Sequence, residues 1–183
     1  MPLKIDIDEG FSLKVRQIDD AEPFFEVIDR NRTYLREWLL WVDATKSVED
    51  TKMYIRKCLD SIEKGTTFDL GILFKNQWIG SIGLNNIHTV NRKADIGYWL
   101  DQNHAGKGLM TKAVQRLIKH AFTEMNLNRL TIMAATQNAK SRAIPERLGF
   151  SQEGICREDE WLYDHFVDLA MYSLLKSDWE KET

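Results

Sequence analysis

Residues 95–111, Asp95-Ile96-Gly97-Tyr98-Trp99-Leu100-Asp101-Gln102-Asn103-His104-Ala105-Gly106-Lys107-Gly108-Leu109-Met110-Thr111, decide how the rest of the chain is read. The first six residues have the character of a strand, and the last three begin a long amphipathic helical pattern. A short turn with two glycines and a lysine separates them. A helix that starts at such a turn presents N–H groups with no intrahelical acceptor, and its dipole adds partial positive charge there. That combination suits a phosphate or diphosphate. The alternative is a helix start that only needs small residues, and the turn by itself does not separate the two.

Spacing removes two common phosphate motifs. A Walker A loop needs Gly-x-x-x-x-Gly-Lys-Ser/Thr, but Lys107 is followed by Gly108. A dinucleotide fingerprint needs Gly-x-Gly-x-x-Gly, and position 111 is Thr.

Toward the C-terminus, Gly108 to Met125 forms the clearest periodic element, with Met110, Ala113, Val114, Leu117, Ile118, Ala121, Phe122 and Met125 on one broad stripe. Arg129 to Ala135 alternates as a strand, and Thr136 to Ser141 is a loop and cap before a short helix through Leu148. Gly149 suits that helix's exit. Two further strands, Phe150 to Arg157 and Phe166 to Leu174, flank an acidic turn region. Toward the N-terminus, Ala94 to Leu100, Trp78 to Leu84 and Thr66 to Phe74 read as an antiparallel meander with a tight turn at Lys75-Asn76-Gln77. Ser47 to Glu63 is an amphipathic helix capped by Ser47 with Asp50 three residues on. Asp19 or Asp20 caps an earlier helix carrying Ala21, Phe24, Phe25 and Ile28, and Phe11 to Arg16 is the first strand. The aromatic segment Tyr34 to Trp41 reads as core packing, or as a substrate wall or dimer surface.

The order is therefore β α α β β β α β α β β, an α+β chain whose long helix joins two adjacent parallel strands. With 183 residues, no repeat and no linker, it is expected to form a single domain, 1–183. A formal net charge of -3 argues against non-specific nucleic-acid binding. Two cysteines, Cys58 and Cys156, are too few for a disulfide framework and are not spaced as zinc ligands. No metal is expected. The absence of a long apolar run or signal-peptide pattern argues against a membrane and for a cytoplasmic location.

The turn resembles the coenzyme A loop of the GNAT acetyltransferases, Gln/Arg-x-x-Gly-x-Gly/Ala, here Asn103 to Gly108 with a departure at Asn103. The resemblance extends along almost the whole chain. It is carried by Asn91 to Leu100, Gly106-Lys107-Gly108, Asn138-Ala139-Lys140-Ser141, Arg147-Leu148-Gly149-Phe150, Glu153-Gly154 and Asp168 to Leu175. These segments are most similar to the Rim-type enzymes that acetylate N-terminal serine or alanine of ribosomal proteins. The resemblance implies a mostly antiparallel sheet with one splayed parallel pair, helices on both faces, acetyl-CoA as co-substrate and a homodimer.

The resemblance also implies a site. Backbone N–H groups of His104, Ala105, Gly106, Lys107, Gly108, Leu109, Met110 and Thr111 would hold the carrier's diphosphate. A backbone N–H of Tyr98, Trp99 or Leu100 would face the developing oxyanion, and Asn138 would bond the pantetheine amides. An α-amine has a pKa near 8 and lysine near 10.4, so the acceptor needs a base at neutral pH. Glu160 matches the acidic position of the Rim-type turn, although Glu158-Asp159-Glu160 also reads as solvated surface. The helix after the fifth strand lacks the tyrosine that many family members use to protonate the leaving thiolate, and Ser141 is the residue that could reach the sulfur. Serine is also a preferred helix cap. Asp168 is expected to satisfy backbone, His104 to face solvent, and Cys156 to be inert.

Three acceptor readings follow: the N-terminal amine of a protein, a small amine such as a polyamine or aminoglycoside, or no acceptor at all in a silent coenzyme A-binding module. Acceptor-dependent thiol release separates them.

Overall fold

In the computed structural model, which describes residues 3–182, the strands are β1 (Lys4–Asp8), β2 (Phe11–Lys14), β3 (Phe68–Phe74), β4 (Gln77–His88), β5 (Lys93–Leu100), β6 (Arg129–Ala135), β7 (Ser151–Leu162) and β8 (His165–Leu175). The helices are α1 (Ala21–Arg30), α2 (Arg32–Arg36), α3 (Val48–Glu63), α4 (Leu109–Thr123), α5 (Ala139–Arg147) and α6 (Lys176–Glu182). All eight strands lie in one sheet, ordered β1-β2-β3-β4-β5-β6-β8-β7. Every neighbouring pair is antiparallel except β5 and β6, which α4 connects in parallel.

Alternation assigns the two faces. Leu70 and Ile72 of β3, Ala94 and Ile96 of β5, and Leu130 and Ile132 of β6 pack with the buried stripe of α4, from Met110 to Phe122. On the opposite face Phe24, Val27 and Ile28 of α1 pack with Trp78 of β4, and Leu73 and Trp99 lie at the margin. Phe24 meets Trp78 edge-on, with ring centroids 6.1 Å apart. Ser47 caps α3 as its spacing requires, accepting from the Asp50 N–H at 3.2 Å and donating to the Asp50 carboxylate at 2.8 Å.

The β5–β6 pairing is short. Lys93, Ala94 and Asp95 pair with Arg129, Leu130 and Thr131, after which β5 runs on to Leu100 and β6 to Ala135 without further pairing. This is the expected splay.

Four details differ from the sequence reading. The first strand is preceded by β1, which buries only Ile5 in an otherwise acidic stretch and so gives little periodic signal. The aromatic segment contains the short helix α2 followed by a 3-10 turn, Leu40–Asp43. The acidic run is not a turn between strands: Glu158 and Asp159 lie in a bulge within β7, between the pairs Cys156–Leu169 and Glu160–Val167. Lys176–Glu182 forms a terminal helix whose Trp179 packs on Phe122.

At the end of the sheet where β5 and β6 still pair, Arg129 of β6 forms a two-pronged ion pair with Glu153 of β7, at 2.7 and 2.6 Å. Ser173 of β8 donates to the same carboxylate at 2.7 Å. Arg129 first, and Ser173 second, lower the Glu153 carboxyl from 4.5 to about 2. A lowered native value means that this contribution is fully present above the ordinary carboxylate range and disappears as pH falls toward 2. Glu153→Gln should therefore cost about 1 kcal/mol at pH 7, the size of a partly exposed pair. Wild type and variant should converge in thermal melts between pH 4.5 and 2.

Candidate active site

The turn before α4 has the geometry its glycines suggest. Gly106 and Gly108 both sit in the left-handed region, at φ 75° and 73°, where a side chain is strained. A Cβ at either position would meet no atom within 4 Å, so backbone conformation rather than crowding requires glycine. Lys112 is the first residue of the turn and helix whose N–H closes a helical bond, to the Gly108 carbonyl at 3.1 Å. The His104 and Ala105 N–H groups, expected in the same row, are engaged instead, by the Asp101 carbonyl at 2.9 Å and the Gln102 carbonyl at 3.2 Å, because a tight 3-10 turn closes there; among the described residues the N–H groups of residues 106–111 meet no acceptor. They form a row of donors at the positive end of the α4 dipole.

Cationic side chains surround this row. Lys107 donates to the Asn103 carbonyl at 2.8 Å, and Lys112 pairs with Asp8. Arg147, at the end of α5, donates to the Thr111 hydroxyl at 2.9 Å and has no carboxylate within ion-pair distance among the described residues. The sequence reading quoted Arg147 within the segment Arg147-Leu148-Gly149-Phe150 but gave it no role at the turn; its closeness to α4 depends on how α5 packs. His104 departs from expectation. Its side chain is only 20% exposed, its ring lies edge-on to Phe74, and its Nδ1 is buried 3.4 Å from Asp101 without a well-aligned hydrogen bond.

Strand parity narrows the oxyanion donor. The Asp101 N–H donates to the Ile79 carbonyl of the connection within β4 at 2.7 Å, and Trp99 lies opposite Ser81 of the same strand. In an antiparallel pair alternate residues bond to one neighbour, so the Trp99 N–H points to β4 and the Tyr98 and Leu100 N–H groups point into the β5–β6 gap. Trp99 is thereby removed as a backbone donor. Its side chain lies on the α1 face, against Phe24 at 5.5 Å and Trp41 at 5.8 Å.

Tyr98 points the other way, toward α5. Its hydroxyl donates to the Ser141 carbonyl at 3.0 Å and accepts from the Ser141 hydroxyl at 3.3 Å. Burial first, with the Ser141 bond opposing it, places the Tyr98 phenol up at about 12, so it is protonated at neutral pH. Tyr98 of β5 thus brings a phenol hydroxyl to α5, a helix that carries no tyrosine of its own. Ser141 is not the cap of α5: Asn138 fills that role, accepting from the Ser141 N–H at 3.1 Å.

The acidic run is tied to the same region. The Thr136 N–H donates to the Asp168 carbonyl at 2.9 Å, and the Asp168 carboxylate accepts from the Glu158 N–H at 2.8 Å. Asp168 therefore satisfies backbone, as expected, and holds the bulge that carries Glu158 in the left-handed region at φ 51°. Glu160 is half-buried and meets no cation among the described residues; burial first, then the Asp159 charge, raise its pKa. A cavity of about 210 Å³ opens beside the bulge, with Trp38, Thr136, Gln137, Glu158, His165 and Asp168 in its wall. The β7–β8 turn is tied to the aromatic segment, where Tyr163 donates to the Leu39 carbonyl at 3.0 Å and carries the Arg36 guanidinium over its ring at 3.9 Å. No cluster of metal-ligating side chains occurs among the described residues.

The arrangement has a row of free N–H donors at a helix start, a gap lined by strand N–H groups, a hydroxyl pair from Tyr98 and Ser141, and in β7 a half-buried carboxylate, Glu160, without a cation among the described residues. These are the parts that transfer of an acyl group from a phosphate-bearing carrier to an amine requires.

Comparison with known proteins agrees. The acetyltransferase (GNAT) domain family matches residues 12–151. YdaF of Bacillus subtilis (strain 168), provisionally named a ribosomal N-acetyltransferase, is 38% identical over 181 residues, covering 96% of this chain and 97% of that protein. The ribosomal-protein-serine acetyltransferase of Escherichia coli (strain K12) is 31% identical over 169 residues, covering 92% and 94%. Among solved structures, the microcin C7 self-immunity acetyltransferase MccE in complex with acetyl-CoA and AMP superposes with a TM-score of 0.89 at 26% identity, covering 92% of this chain and 94% of that one.

Replacing Gly106 or Gly108 by Ala should cost about 1–2 kcal/mol each, through backbone strain alone. Denaturant unfolding of the two variants checks this.

Proposed function

The chain belongs to the GNAT acetyltransferase family and is an N-acetyltransferase, and from that premise we propose that it carries acetyl groups from acetyl-CoA directly to the N-terminal α-amine of a protein. The row of unpartnered N–H groups at residues 106–111 carries the reading, because it lies at the end of a strand whose next free N–H groups face the gap where a thioester would lie. The protein acceptor is supported by relatives named for ribosomal-protein acetylation. We place the protein in the cytoplasm as one GNAT domain that works as a homodimer.

In this reading the N–H groups of residues 106–111 hold the diphosphate, with Arg147 adding charge, and Asn138 meets the pantetheine amides. The amine attacks the thioester carbonyl, and the oxyanion receives the Tyr98 or Leu100 N–H, a donor worth about 3 kcal/mol in the transition state. Glu160 takes the proton that the amine loses, directly or through water. Collapse of the intermediate breaks the C–S bond, and the Ser141 hydroxyl, bonded to Tyr98, stabilises or protonates the departing thiolate. No covalent enzyme intermediate is needed.

Thiol release from acetyl-CoA, measured with peptides beginning in Ser or Ala, with spermidine and with an aminoglycoside, tests the acceptor. Peptide turnover with inert polyamines is expected; the reverse would overturn the protein-acceptor reading. Glu160→Gln should lower kcat roughly 100-fold or more. A base works deprotonated, so the wild-type rate should rise with pH through a value above the ordinary carboxylate range, and the variant should lose that limb. Ser141→Ala should reduce kcat with little change in the KM for acetyl-CoA.

A further inference from the structure

Asp101 stands at the junction between β5 and the turn before α4, 1% exposed. A carboxylate there is costly unless each oxygen is engaged. Its Oδ2 receives the Arg30 guanidinium of α1 at 2.6 Å, and its Oδ1 receives the Asn103 N–H at 3.0 Å. The Asp101 carbonyl accepts from the His104 N–H at 2.9 Å. The neighbouring Gln102 N–H is held by the side chain of Asn31, the next residue of the same α1 terminus, at 3.0 Å. Asn31 is itself 4% exposed and anchored to the Val27 carbonyl at 2.8 Å.

These contacts fix residues 101–104 completely. Ala105 is held as well, its N–H donating to the Gln102 carbonyl at 3.2 Å, and beyond it the N–H groups of residues 106–111 meet no acceptor among the described residues. The direction in which residues 106–111 aim is therefore set where Asp101 is fastened, and the fastening comes from α1, on the far face of the sheet from α4.

We propose that Asp101 is a positioning residue for the acyl carrier, and that Arg30 and Asn31 of α1 act through it to aim the N–H row at the carrier's phosphates. The inference rests on the reading that residues 106–111 hold acetyl-CoA. It assigns to α1 a role in cofactor affinity although none of its side chains lies at the phosphate loop. A second consequence concerns charge. A free carboxylate beside this loop would repel a diphosphate; paired with Arg30 it does not.

The test uses the whole protein. Calorimetry with coenzyme A on the wild type comes first; no binding there would sink the cofactor reading and this inference with it. Given binding, Asp101→Asn should raise the KM for acetyl-CoA on the order of ten- to a hundredfold, with kcat at saturation within about twofold. Arg30→Gln, at a side chain 46% exposed and safe for folding, should raise the same KM by a smaller factor, and Arg30→Lys should restore most of it. The acceptor KM should not move. A folded Arg30→Gln with unchanged coenzyme A affinity, or an Asp101→Asn that lowers only the melting temperature, would overturn the proposal while leaving the cofactor reading intact.

Discussion

Hydrogen bonding between β5 and β6 stops after Asp95 and Thr131, and the proposed chemistry depends on that interruption. Backbone N–H and C=O groups inside a sheet normally find partners across the ladder. Here the strands continue for several residues on either side of a gap, so the β5 edge keeps a donor and acceptor pattern that an extended amide-bearing chain can complete. The gap cannot close by simple sliding. On one face α4 and α5 hold the strands through Met110, Ala113 and Ile144, and on the other α1 holds β5 through Phe24 and Trp99. The sheet is pinned open by its own packing.

Electrostatics at the end of the gap follow the same logic. The start of α4 concentrates partial positive charge, and Arg147 adds a full charge to it without a carboxylate partner among the described residues. That local excess of one sign is unfavourable for the empty protein and favourable once an anion arrives. Lys112 and Asp8, slightly farther along, neutralise each other. The buried Asp101 is likewise neutralised by Arg30, and the Asn103 N–H joins Arg30 in outweighing burial to keep its pKa below the ordinary value.

Much of this was legible in the sequence, and the limits have physical causes. The stripe of α4 stood out because eight residues repeat at helical spacing; the seven inside the helix are all buried, and Met125, just past its end, is half-buried. The glycine turn was legible because positive φ leaves few other residues to choose from. The β3–β4 turn was legible too, although its left-handed positions are Lys75 and Asn76 rather than glycine. What pattern reading could not supply were contacts between distant residues: Arg30 and Asp101 are 71 positions apart, and Tyr98 and Ser141 are 43. The β7 bulge was missed for a different reason. A bulge breaks the period on which strand recognition rests, and its left-handed residue is Glu158, so no glycine marks it. The acidic composition suggested a turn, whereas the Asp168 carboxylate makes a bend within a strand possible.

The alternation of β5 lets one strand serve three purposes at once. The N–H groups of Tyr98 and Leu100 face the gap, while the side chains of Ile96, Tyr98 and Leu100 turn toward the α4–α5 side. Gly97 and Trp99 turn to the α1 side, where Gly97 is exposed and Trp99 meets Trp41. A donor built into the backbone is aimed before any substrate arrives, since β4 fixes the strand through the intervening residues. A slip of one residue would exchange all three assignments together: the Trp99 N–H would enter the gap, its indole would collide with α5, and the Tyr98 hydroxyl would leave Ser141. Gly80 opposes such a slip. A Cβ there would sit 2.3 Å from the Trp99 carbonyl, so β4 approaches β5 at this point more closely than any side chain allows. The register is thus set by a glycine on the neighbouring strand. The placement of the proposed oxyanion donor, the hydroxyl pair and the Trp99 indole on the α1 face is a single structural decision rather than three.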